Sequence, residues 1–464
     1  MKLWLLALVI AVAAIVAVIV GQSGRQRVSL IVKNGIVVTM DRDRRVLQNG
    51  AVAVDGSDIV AVDETPTIEE QFRAGETIDA AGHIILPGLI NTHTHAPMVL
   101  YRGLADDLAL MEWLEKYIFP AEAKTVSPEF VRAGTRLAAL EMIQSGTTTF
   151  VDMYYFEEEI AAEAKRAGLR GILGQTVIQF PVADAATPAD ALRRAEAFIT
   201  QFKGDPLITP AVAPHAMYTL DGPTLQAARD LARRHGVPTL IHLAETEAEL
   251  KTSQERYGMS PVRFLDSLGF LGPGVLGAHA VWVSEPEIAL LKARGAGVSH
   301  NPESNMKLAS GTAPVPGYLA ADVAIGLGTD GAASNNDLDM FEAMRMASLL
   351  HKLQTGDPRA VSARAALEMA TVRGARALGM EAQIGSLEPG KRADLIGVSV
   401  SGARQTPMYD PISHLVYVSH GDDVRTSIVH GKVLMRNGRV TTLNSSRVLD
   451  EARQWAATVR AVVQ

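Results

Sequence analysis

The chain has 464 residues, 47% of them hydrophobic and 20% charged, enough for a large core and more than one domain. A net charge of −7 and a pI near 6.0 argue against a general affinity for nucleic acid. The absence of cysteine excludes disulfides, cysteine-ligated zinc, iron–sulfur clusters and thiol nucleophiles, so any metal must be held by His, Asp, Glu or lysine-derived groups.

Leu3 to Val20 is an unbroken apolar run preceded by Lys2. Its length is at the edge of what spans a bilayer, so residues 1–24 are expected to be an uncleaved anchor or an export signal. Without cysteine a lipoprotein is ruled out. Lys2 on one side and Arg25, Arg27 and Lys33 on the other leave the orientation unspecified.

From Val28 the texture changes to short β-rich runs, Ser29–Val32, Gly35–Thr39, Ala51–Val54 and Ile59–Val62, with Asn34-Gly35 and Asp55-Gly56 as turns. Similar runs return at Ala393–Ile396, Val416–Val418, Ser427–Val429 and Lys432–Val433. One mostly antiparallel β unit built from both ends, residues 25–85 and 385–442, is expected, with residues 443–464 as a C-terminal helix.

Between them, residues 86–384 alternate strand and helix. The apolar stretch Ile84–Ile90 reads as a buried strand, then Thr148–Asp152, Ile172–Ile178, Leu207–Val212, Val237–Ile241, Val275–Ala278, Gly297–Ser299 and Val323–Leu327 follow, separated by helical segments such as Pro188–Phe202 and Asp339–Leu353. Close to eight βα units predict an α/β fold with a closed (β/α)8 TIM barrel and a small composite β-sandwich domain. An open doubly wound sheet is disfavoured because no Gly-rich phosphate loop follows the first strand.

Groups able to bind metal stand directly after the apolar runs: His93 and His95, His215, His242, His279 and Asp330. His93 and His95, two apart on a strand, share one face. The ends of parallel barrel strands meet on one face, where such folds keep their active sites. Glu245 follows His242 by three residues and Asp330 lies in a Gly-Thr-Asp-Gly turn. Each alone is equally an ordinary structural residue; a helix N-terminal charge suffices for Glu245. Six such groups at strand ends are harder to assign to accident.

The segments PGLINTHTHAP, TTTFVDMY, IHLAET, GAHAVWVS, SHNPESNMKLASG, GLGTDGAASNN and GSLEPGKRADLI carry a resemblance. From about residue 28 the chain resembles the amidohydrolase superfamily, in its cytosine-deaminase and chlorohydrolase branch. It is most similar there to the group that deaminates 5′-methylthioadenosine and S-adenosylhomocysteine. The resemblance implies one divalent metal ion, zinc first and iron second, held by His93, His95, His242 and Asp330. It implies attack by a metal-bound hydroxide on an amine-bearing ring carbon, with release of ammonia. Asp330 would take the water's proton, Glu245 would protonate the ring nitrogen, and His279 would orient the nucleophile. No bridging lysine for a second metal is evident. Glu122 after Phe119-Pro120, Trp113, His215 and Asn305 in the Asn301–Leu308 loop match substrate-binding positions, together with Glu245. An arginine that some relatives place near Gln175 has no clear counterpart, which leaves methylthioadenosine, adenosine or another aminated heterocycle open. A triazine-type chlorohydrolase or guanine-deaminase-like hydrolase is the alternative, and a non-catalytic, membrane-tethered binding protein a distant one. The expected partners are a small-molecule substrate and, through the N-terminal run, a membrane; a homo-oligomer is compatible with the sequence.

Overall fold

The structure, a computed structural model, describes residues 24–463. The apolar run Leu3–Val20 and its expected role as anchor or signal lie outside the described residues. Among the described residues no helix is long and apolar enough to cross a membrane.

The first five strands are β1 (Gln26–Val38), β2 (Val46–Asp55), β3 (Asp58–Glu64), β4 (Phe72–Asp79) and β5 (His83–Pro87). Eight follow at barrel spacing: β6 (Leu89–Thr94), β7 (Thr147–Tyr154), β8 (Arg170–Val177), β9 (Ile208–Pro214), β10 (Thr239–Leu243), β11 (Val275–His279), β12 (Gly297–His300) and β13 (Ala324–Leu327). The last four are β14 (Leu395–Ser399), β15 (Val424–Val429), β16 (Lys432–Arg436) and β17 (Arg439–Val440).

β6 to β13 form one eight-stranded sheet in sequence order, every pair parallel. β13 returns beside β6. There the Asp330 N–H donates to the His93 carbonyl at 3.0 Å, and Asn91 Nδ2 donates to Thr329 Oγ1 at 2.7 Å. Helices follow the strands, capped where the sequence offers side-chain oxygens: Thr187, Asp221, Thr246 and Asp339 each accept from a backbone N–H of the first turn.

The remaining nine strands make a second sheet in the order β17-β16-β15-β14-β5-β1-β2-β3, with β4 also paired to β1. This is one continuous sheet rather than two hydrogen-bonded layers. It branches at β1, whose first half runs parallel to β4 and whose second half runs parallel to β5. Leu30, Val32, Val52 and Val54 from the N-terminal strands share a buried apolar cluster with Leu395 and Ile428 from the C-terminal ones.

Two expected strands differ. The run Ile84–Ile90 is two strands, because Pro87 ends β5 in the composite sheet and Gly88 passes the chain into the barrel. A Cβ at Gly88 would stand 2.0 Å from Thr148 Oγ1, so only glycine clears that crossing. Val416–Val418 falls in and just after a helix, Pro411–Tyr417, not a strand. Asp410 accepts from the Ile412 and Ser413 N–H groups and Pro411 occupies the first turn, and this cap outweighs the β-propensity of two valines.

A buried ion pair joins the two sheets. Arg170, at the start of β8, donates from Nε to Asp394 Oδ2 at 2.9 Å and from Nη2 to Oδ1 at 3.3 Å, and both side chains are 3% exposed. Asp394 Oδ1 also accepts the His430 N–H at 2.7 Å. Asp394→Ala strands the guanidinium without its anion, at a cost of roughly 3–5 kcal/mol. A lowered midpoint of chemical or thermal unfolding checks this, and an unchanged midpoint contradicts it.

Candidate active site

All six groups expected at strand ends lie on the C-terminal face of the barrel. His93 lies near the end of β6 and His95 just past it, His215 follows β9, His242 lies in β10, His279 ends β11 and Asp330 follows β13. Three of these ends are strained: His279, Ala244 and Asp330 hold left-handed φ angles of 71°, 48° and 66°. Non-glycine residues adopt that region rarely, and its cost is tolerated where the surroundings fix the side chain's direction.

The Nε2 atoms of His93 and His95 stand 3.4 and 3.3 Å from Asp330 Oδ1, and His242 Nε2 is 3.4 Å from His95 Nε2. Donors bonded at about 2.0–2.1 Å to one zinc stand roughly 3–3.5 Å apart, so these three separations suit a shared ion. The tautomers fit as well. His95 Nδ1 lies 2.7 Å from the Met153 carbonyl and His242 Nδ1 2.9 Å from the His215 carbonyl. A carbonyl only accepts, so each Nδ1 carries its proton and each Nε2 presents a lone pair. His93 Nε2 is buried and has no hydrogen-bond partner.

Burial drives the electrostatics. It pushes His93 down to about 4 and His242 well below the usual range, assisted by the neighbouring imidazoles; burial likewise takes His215 to about 3. These rings are neutral near pH 7, the form that binds metals. Burial would raise Asp330, but His93 beside it and the other surrounding histidines hold it well below the carboxylate range. Asp330 Oδ2 accepts from Ser304 Oγ at 2.7 Å and from Ser334 Oγ at 2.9 Å, while Oδ1 accepts the Gly331 N–H at 2.7 Å.

Glu245 is 3% exposed, and burial raises its carboxyl against the opposing pull of His279. His279 Nε2 stands between two acids, 3.8 Å from Glu245 Oε2 and 3.9 Å from Asp330 Oδ2. Burial would lower His279, yet Glu245 and Asp330 together raise it.

His95, His242, Glu245, His279 and Asp330 line one cavity at the barrel mouth. Trp113, Glu122 and His215 line it too, as their expected substrate roles require. Glu122 is buried and accepts the Tyr154 hydroxyl at 2.6 Å; burial pushes its carboxyl up to about 7 against that bond. Asn305 is elsewhere. It is buried behind the cluster, with Oδ1 2.8 Å from His279 Nδ1, and does not line the cavity. The Asn301–Leu308 loop therefore supports His279 rather than presenting Asn305 to a ligand.

Tyr154, Tyr155, Thr176 and Tyr218 also line the cavity and were not singled out in the sequence. Tyr154 ends β7 just as His279 ends β11, so the strand-end rule applied to every strand would have found it.

The amidohydrolase family model matches residues 84–434. The chain is 48% identical over 437 residues to the 5-methylthioadenosine/S-adenosylhomocysteine deaminase of Syntrophobacter fumaroxidans, covering 94% of this chain and 100% of the relative. It is 48% identical over 429 residues to the 5′-deoxyadenosine deaminase of Methanosarcina acetivorans, covering 92% and 97%. Among solved structures, an adenosine deaminase from Xanthomonas campestris with bound zinc superposes with a TM-score of 0.93 at 39% identity, over 94% of this chain and 100% of that one. With four metal-ready donors at its barrel mouth and a matching model over most of its length, this chain belongs to the amidohydrolase family.

Proposed function

We propose that the protein is a metal-dependent hydrolase of carbon–nitrogen bonds that deaminates adenosine-like nucleosides. The observation that carries this reading is the placing of Glu245 in one cavity with the His93–His95–His242–Asp330 cluster and with Glu122. The names of the relatives and the zinc in the Xanthomonas structure support it.

His93, His95, His242 and Asp330 would hold the ion, and we take it to be zinc. Bound there, it supplies Lewis acidity that makes a water nucleophilic near neutral pH. The chain's own residues do the rest. Glu245, whose carboxyl burial raises, donates a proton to the ring nitrogen beside the amine-bearing carbon. That carbon becomes electron-poor and is attacked by the water oxygen, which His279 Nε2 holds between Glu245 and Asp330. The resulting Glu245 carboxylate collects one proton of the water and passes it to the departing amine; as the carbon–nitrogen bond breaks, the added hydroxyl gives up its remaining proton, which restores the Glu245 acid. Nucleoside and water thus give the 6-oxo product and ammonia. Asn305 acts as a positioning residue, holding the His279 ring by its Nδ1.

At the other side of the cavity, Glu122 accepts hydroxyls of the sugar. Past it a second opening of about 620 Å³ shares Phe119, Glu122 and Tyr155 and runs out over Phe180 and Pro181. No lysine or arginine is among the described residues lining either space. A neutral 5′ substituent such as hydrogen, hydroxyl or methylthio suits that wall better than one ending in a carboxylate, which would be desolvated beside Glu122 without a counter-charge. The N-terminal run Leu3–Val20 leads us to propose export or tethering of this enzyme; fractionation of cells expressing the full chain tests it, and recovery in the soluble cytoplasmic fraction opposes it.

Metal-loaded protein is expected to release ammonia from 5′-deoxyadenosine, 5′-methylthioadenosine and adenosine, with a lower kcat/KM for S-adenosylhomocysteine. Silence on all four, with chloride release from a chlorotriazine or deamination of guanine, overturns the substrate class. Removal of the ion with a chelator abolishes turnover, and zinc restores it in proportion to the metal content found by elemental analysis. Glu245→Gln lowers kcat about 10²–10⁴-fold while metal content stays at the wild-type value. Glu122 supplies a pH signature. Its raised value leaves it protonated, and a poorer acceptor, below about pH 7, so KM for a ribosyl substrate rises as pH falls from about 8 to about 6. Glu122→Gln raises KM roughly 10- to 100-fold and removes that pH dependence. A variant whose KM keeps the wild-type pH profile contradicts the assignment.

A further inference from the structure

We propose that Glu303, Asp337 and Glu342 form a second cation site, separate from the histidine cluster, that takes a hard divalent ion of the calcium or magnesium class. One carboxylate oxygen from each of the three lies within 4.8 Å of the others. Among the described residues none of the three forms an ion pair with a lysine, arginine or histidine. Lys307 is held by Asp106 at 2.5 Å and by Asn336, and Arg102 is held by Glu141.

Proximity of acids alone would not make a site. The second observation is Glu303 itself. It is only 9% exposed, and both of its carboxylate oxygens are buried without a hydrogen-bond partner while one of them faces the oxygens of Asp337 and Glu342. A buried carboxylate normally has its lone pairs satisfied, since leaving them bare costs most of its hydration. The charges that bear on Glu303 are those of Asp337, Glu342 and Asp339, all acidic, and those on Asp337 are Glu342, Asp339 and Glu141. Two ways remain to relieve such a cluster: protons or a cation. The donors are all oxygen, with no histidine and no cysteine, which selects a hard ion over zinc, copper or iron. Asp337 and Glu342 are partly exposed and line an outer cavity with Asp339, Glu141 and Arg425, a guanidinium that forms no ion pair with any of the three among the described residues. Glu303 lies behind these two, so an ion would enter on the side of Asp337 and Glu342, where water can complete its coordination.

The placing has a consequence for the active site, although the site stands independently of the proposed reaction. Glu303 sits on the helix Pro302–Lys307, beside Ser304, which bonds Asp330, and Asn305, which bonds His279. Asp337 follows Ser334, the other serine on Asp330. An ion shared by Glu303, Asp337 and Glu342 ties these two segments to the helix Met340–Thr355.

The test uses the full chain, loaded at the histidine cluster, desalted, and titrated separately with calcium chloride and magnesium chloride by calorimetry and thermal unfolding. Uptake of one ion per chain beyond the first, with Tm raised by about 2–5 °C at saturation, is expected with at least one of the two salts. Glu303→Gln weakens that uptake at least tenfold and removes the Tm rise, while the content of the first metal by elemental analysis is unchanged. Glu342→Gln, at a partly exposed position, gives the same comparison should the Glu303 variant not fold. No uptake of either ion at millimolar concentration, or uptake and Tm rise equal to wild type in the variants, overturns the proposal.

Discussion

The structure depends on keeping a set of buried imidazoles neutral and correctly oriented at one point. Neutrality comes from burial, which makes an imidazolium too costly among its neighbours. Orientation comes from backbone carbonyls of adjacent strands. Met153 on β7 receives the His95 proton, and His215, just past β9, receives that of His242. The parallel sheet therefore does two things with the same strands. It brings the rings together and supplies the acceptors that fix their tautomers. A single distorted strand end would lose both.

Asp330 closes this arrangement and the barrel at once. Its N–H bonds the His93 carbonyl across the β13–β6 seam, so the last strand is registered on the first by the same residue that completes the donor set. Asn91 reinforces the seam from one side through Thr329, its Oδ1 accepting the Thr329 N–H at 3.1 Å. The left-handed backbone at Asp330 aims its carboxylate back over the strand mouth, where two serines satisfy the oxygen lone pairs that the imidazoles do not face. Barrel stability and ligand geometry are one constraint here, which explains why a strained φ is retained.

Much of this was legible in the sequence for a simple reason. Parallel strands buried on both faces are continuous apolar runs, and a polar residue directly after such a run has only the barrel mouth to occupy. His93, His95, His242, His279 and Asp330 were all marked by that rule. Illegible parts depend on partners far apart in the chain. Asn305 sits in a motif that resembles a substrate loop, and only the fold shows that its amide meets an imidazole 26 residues earlier. The Val416–Val418 strand failed because a local cap, Asp410-Pro411, acts before side-chain propensity has a sheet edge to join. Pro87-Gly88 was read through rather than read as a border, since nothing in an apolar run says which of two sheets each half enters.

The two carboxylates of the cavity show how one chemical group suits the two different tasks we propose for them. Both Glu122 and Glu245 are raised by burial, so burial alone does not separate them. Their neighbours do. Glu245 faces His279, an imidazole that two acids make easier to protonate. Glu122 faces the Tyr154 hydroxyl, a donor that burial and the nearby acid keep from ionising. It has a fixed hydrogen-bond donor on one oxygen and no proton relay among its described side-chain contacts. A carboxylate held that way can accept a hydroxyl but has nothing to pass a proton to. The division we propose between binding and catalysis therefore rests on each acid's neighbour, a tyrosine that burial keeps from ionising in one case and a histidine that two acids make easier to protonate in the other.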